Sequence, residues 1–62
     1  MARYWVGVHY PGRACDILDA KTRKEAAERA RKRLTDGAAD YVDIHDDKKG
    51  TTDRFMRGEE PR

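Results

Sequence analysis

His9, Cys15, Asp43 and His45 are the residue types that bind zinc or move protons, so their spacing decides what they can do. No two stand at the C-x-x-C or H-x-x-x-H separations that preorganise a metal site from local sequence. No metal and no other cofactor is expected. The chain contains no serine, which removes a serine nucleophile, and Cys15 has Asp16 rather than a base beside it. Asp46 and Asp47 are adjacent, so on an extended segment they point to opposite sides and make a poor acid/base pair. The 5 glycines are isolated, with no glycine-rich loop to cradle a phosphate. These residues predict a protein that is not an enzyme.

Two other groups could make contacts rather than break bonds. Trp5, His9, Tyr41 and His45 recur at alternate positions of extended runs, with Asp43 among them and Arg3 and Asp16 nearby. An uncovered surface of this kind suits a second copy of the chain or another protein, and its rings could also stack on bases. The second group is basic: Arg23, Arg29, Arg31, Lys32 and Arg33 belong to a stretch, Lys21 to Arg33, with 7 basic and 2 acidic residues. Phosphate would suit it, which makes a nucleic-acid-binding accessory the alternative function. Acid-first i,i+4 pairs, Glu25 with Arg29 and Glu28 with Lys32, would neutralise part of that charge. Arg31, Lys32 and Arg33 also fall in the last turns of a helix, where cations favour its dipole without any ligand.

The element that positions the basic residues runs from Asp19 to Gly37. Thr22 followed by Glu25 is a capping box, in which hydroxyl and carboxylate each satisfy a backbone N–H left unpaired by the first turn. Gly37 comes three residues after Leu34, the last periodic apolar residue, and is predicted to close the helix in the left-handed conformation. Between them Ala26, Ala27, Ala30 and Leu34 form one slim apolar stripe. A lone helix of about 13 residues is marginal in water, so this stripe needs a sheet to cover.

The aromatic residues sit on the strands that the helix would cover. Arg3 to Tyr10 alternates with the period of two of a half-buried strand, and Pro11-Gly12 then turns the chain. Ala14 to Ala20 reads as the second strand, Ala39 to Asp46 as the third, and Thr51 to Arg57 as an edge strand after a polar loop. The prediction is an α+β domain, ββαββ, with one helix packed on one face of a three- to four-stranded antiparallel sheet in the order 2-1-3-4. The expected covered face is Tyr4, Val6, Val8, Ile17, Ala26, Ala27, Ala30, Leu34, Val42, Ile44 and one of Phe55 or Met56. Residues 1–57 would form the domain, and 58–62, with nothing to bury, a flexible tail.

Composition bounds these readings. The chain has 62 residues, 42% of them charged, with a net charge of +2. A domain of this size buries only about 60% of the surface its unfolded chain exposes, so stability is marginal or shared with a partner. One cysteine cannot form an internal disulfide, and there is no secretory leader pattern and no apolar run near 18 residues. A soluble, cytoplasmic protein without a membrane partner is expected. Arg outnumbers Lys 9 to 5, which hints at a GC-rich bacterial or phage genome.

From Trp5 to Arg54 the W-x-V of the first strand, T-R-K-E-A-A-E-R-A, Y-V-D-I-H and D-D-K-K-G follow one another in a pattern that resembles small bacterial ββαββ domains of uncharacterised function. The hairpin followed by T-x-x-E-A is also similar to the arm-type DNA-binding modules of tyrosine recombinases. Those modules usually carry three strands before the helix, and this chain has two. The resemblance brings no catalytic residues. The expected function is a small non-catalytic interaction module, self-associating or protein-binding through the exposed sheet face or an edge strand.

Overall fold

The computed structural model describes residues 3–62. Its elements are β1 (Tyr4–His9), β2 (Asp16–Ala20), α1 (Arg23–Asp36), β3 (Tyr41–Asp46) and β4 (Thr51–Met56). The four strands form one open antiparallel sheet in the order β2-β1-β3-β4, the predicted ββαββ arrangement. Each of the four strands is trimmed at one end or both relative to the run read from the sequence.

Register explains which residues the helix covers. Residues directly opposite in an antiparallel pair share a face. Val6 stands between Leu18 and Ile44, Val8 between Asp16 and Val42, and Tyr4 between Ala20 and Asp46. That face meets Ala26, Ala27 and Ala30, and Val6, Val8, Val42 and Ile44 are fully buried beneath them. Each such branched side chain contributes about 1.5 to 3 kcal/mol by leaving water. The alanine stripe lies over β1, β2 and β3. Arg23 reaches past it to Asp53 on β4, 3.1 Å away.

One predicted core position changes, and the choice between Phe55 and Met56 is decided. Ile17 was placed on the covered face, but it pairs with Gly7 on the opposite side and is 62% exposed. Leu18, one residue on, packs against the core instead. In β4 it is Phe55 that turns to the helix, opposite Val42, while Met56 lies opposite Tyr41 on the other face.

The helix ends also differ in detail from expectation. The Thr22 hydroxyl accepts from the Glu25 N–H at 3.1 Å, as a cap should. The reciprocal half of the capping box is not made, because the Glu25 carboxylate accepts from Arg29 at 2.9 Å. Gly37 is not left-handed: its backbone is extended, at φ −98 and ψ 179, and its N–H donates to Arg33 O at 3.0 Å. Glycine is required there by closeness, since a Cβ would stand 2.7 Å from that same carbonyl oxygen.

Residues 58–62 do bury something. Pro61 is among the fully buried side chains, and main-chain oxygens of Pro61 and Arg62 accept from Arg31 and Arg23 of α1. The segment therefore runs beside the helix. At the β3–β4 turn, Asp46 is buried, and its Oδ1 accepts from the N–H groups of Lys48 and Lys49 at 3.0 and 3.2 Å. Arg3 Nε lies 3.6 Å from the same oxygen. Burial pushes this carboxyl up, but the Lys49 and Lys48 N–H groups and the Arg3 guanidinium outweigh it and hold it below the ordinary carboxylate value.

Candidate functional site

With its one helix on one side, the sheet leaves the other face open. Register arranges that face in cross-strand rows: Asp19, Trp5, His45 and Thr52; then Ile17, Gly7, Asp43 and Arg54; then His9, Tyr41 and Met56. The structure thus brings together Trp5, His9, Tyr41 and His45, the four residues grouped from the sequence. Arg3 and Asp16 are not on this face. Asp16 stands opposite Val8 on the helix side, bonded to Tyr10 Oη and near Arg33, while Arg3 is drawn to Asp46.

The rings hold one another in place. Trp5 and His45 lie with centroids 5.5 Å apart and planes tilted by 34°, and His45 Nδ1 is 2.8 Å from Thr52 Oγ1. His9 and Tyr41 stack at 4.3 Å. Asp43 accepts at both oxygens, Oδ2 from His9 Nε2 at 3.1 Å and Oδ1 from Arg54 Nε at 2.9 Å. The Arg54 guanidinium also lies 4.4 Å from the centre of the Tyr41 ring. The hydrogen bond to Asp43 and the charge of that carboxylate raise the proton affinity of Arg54 above its ordinary value, so it stays cationic. Gly7 lies between these groups, where a Cβ would meet His9 Nε2 at 3.4 Å, an ordinary contact distance.

Chemically, the face is an apolar and aromatic surface on which His9, Asp43, Arg54, His45 and Thr52 are already paired with one another. Aromatic pairs contribute about 0.5 to 1.5 kcal/mol beyond their burial, and cation–π contacts at exposed sites about 0.5 to 1 kcal/mol. The sequence missed Ile17, Met56 and Arg54 as members of this face. Pairing register was the missing signal. Among the described residues no group of three or more His, Cys, Asp or Glu side chains converges as a metal site would require.

The basic cluster is placed differently. Arg23 pairs with Asp53 and donates to Arg62 O, and Arg29 pairs with Glu25 at 2.9 Å. Arg31 lies 3.4 Å from Glu60, and Arg33 donates to Tyr10 Oη at 2.9 Å. Lys32 is exposed and makes no ion pair among the described residues, so the expected Glu28–Lys32 pair does not form. Four of the five cations are thus engaged within the chain. No described helix is long and apolar enough to cross a membrane.

The chain matches no protein-family model, no curated protein and no solved structure.

Proposed function

We propose that this chain is a non-catalytic contact module that associates with a second copy of itself, or with another protein, through the open face of the sheet. One observation carries the reading. Among the described residues, the large hydrophobic side chains that stay exposed, Trp5, Ile17 and Met56, all lie on that face. Water-exposed apolar side chains gathered on one side favour contact with a partner, whereas the same residues scattered singly need no explanation.

Preset geometry adds to it. Rings already fixed by stacking and hydrogen bonds lose little freedom on docking, so less of the contact energy goes to ordering them. Charge argues for protein over nucleic acid at this face. Its one guanidinium, Arg54, is neutralised by Asp43, and Asp19 adds a negative group, so a phosphate backbone finds little attraction here.

The test is sedimentation of the purified chain at two concentrations, with and without a nucleic-acid duplex. Concentration-dependent association that Trp5→Ala weakens supports the reading. A complex with the duplex that declines steeply with salt, in a chain that stays monomeric, supports the basic-helix alternative instead.

A further inference from the structure

We propose that the channel between α1 and β4 is a binding site for an extended segment of another protein, two acidic residues followed by a proline, and that residues 59–62 of this chain close it as a latch. The helix covers β1, β2 and β3, which leaves the helix side of β4 without cover from α1. Arg23 contacts both Asp53 of β4 and the main-chain oxygen of Arg62, so the C-terminal segment ends in that gap. Gly58 is the hinge about which the chain turns back: its φ is +95, and nothing lies within 4 Å of where a Cβ would stand.

The segment is held as a bound peptide is held. Pro61 is its one buried side chain, while residues 57–60 and Arg62 are exposed. Side chains of the helix grip its backbone: Pro61 O accepts from Arg31 at 3.3 Å and Arg62 O from Arg23 at 2.9 Å. Arg23, Ala27 and Arg31 recur every fourth residue and share one stripe of α1, with the small Ala27 between the two guanidinium groups. Glu60 stands 3.4 Å from Arg31, and the Glu59 carboxylate accepts from the Met56 N–H of β4 at 2.6 Å. These contacts define the ligand: a proline ring as the anchor, main-chain oxygens for two arginines, one carboxylate for Arg31 and one for the β4 edge. A single anchoring side chain and an exposed ion pair make a latch that local opening can release. A second copy of the chain gains no new contact by displacing the latch and competes with its tethered concentration, whereas a foreign segment with further contacts can prevail.

The site lies beside the helix, away from Trp5, and its failure would leave the open-face reading standing. The probe is a peptide of the sequence RGEEPR with both ends blocked, titrated into the isotopically labelled chain and into its variants Pro61→Gly and Glu60→Lys. Faster hydrogen exchange at the Met56 amide is expected in both variants, with the β1 and β3 amides still protected. The peptide should shift the Arg23 and Arg31 side-chain signals of Pro61→Gly at a concentration at least about tenfold below that needed for the parent, because the parent's site is open only in part. Glu60→Lys should move the same way by less, and Trp5→Ala should bind as the parent does. Peptides with lysine for both glutamates, or with glycine for proline, should bind the opened chain at least about tenfold more weakly. No shift at millimolar peptide in the opened variants, equal binding of the control peptides, or loss of β1 and β3 protection in both variants would overturn the proposal. Dimers of the parent that Pro61→Gly abolishes and Trp5→Ala does not would assign the site to a second copy and overturn it as well.

Discussion

His9 and Tyr41 stack across the two central strands with ring centroids 4.3 Å apart and planes 14° from parallel. Arg54 approaches the Tyr41 ring from the β4 side, so one ring links three strands of the open face. Tyr41→Ala removes both contacts. The expected loss is about 1 to 2 kcal/mol of unfolding free energy with the far-ultraviolet circular dichroism retained, read from urea denaturation.

Ile17 and Leu18 are neighbours in sequence with opposite surroundings. Leu18→Ala should cost about 2 kcal/mol, the low end for an aliphatic truncation because the side chain is only partly buried. Ile17→Ala should change stability by no more than about 0.5 kcal/mol. The reverse ranking in thermal or urea unfolding would mean that β2 is shifted by one residue.

Gly37→Ala places a methyl group against the carbonyl oxygen of Arg33, a backbone atom that cannot swing aside. A loss of about 1 to 3 kcal/mol is expected, confined to the last turn of α1 in hydrogen exchange. An alanine that is neutral or stabilising would show that the helix end is looser than described.

Asp46 makes stability depend on pH in a definite direction. Its carboxyl titrates below the ordinary carboxylate value in the folded chain, so the stabilisation is fully present above the unfolded value. It is lost as pH falls through that range toward the folded value. Asp46→Asn keeps an acceptor oxygen for Lys48 and Lys49 but cannot ionise. The variant should melt lower than the parent at neutral pH, and the gap should narrow on acidification; a constant gap would contradict the assignment.

Strand order, the face of the helix and the four-residue aromatic group were legible because period-two alternation in β1 and β3 leaves only one way to bury Val6, Val8, Val42 and Ile44. β2 was not legible. In Asp-Ile-Leu-Asp-Ala, Ile17 and Leu18 are adjacent aliphatic residues that fit opposite registers equally well, and only the pairing of Val6 with Leu18 selects between them. Gly37 was read as a torsional device when the close approach of Arg33 O is what demands it. Pro61 escaped notice because a lone proline in a charged segment carries no periodic signal, and the acceptors it brings to Arg23 and Arg31 appear only in three dimensions.

Trp5 is the most direct handle on the proposed contact face. At 43% exposure it contributes apolar area to the surface while the helix-side core forms without it. Sedimentation velocity of the parent chain and of Trp5→Ala, each at a low and a high concentration, compares association with fold in one measurement. The account predicts concentration-dependent association of the parent, or its capture by a protein partner, that drops at least about tenfold in a variant of unchanged circular dichroism. A variant that associates as well as the parent, or that unfolds, would contradict it.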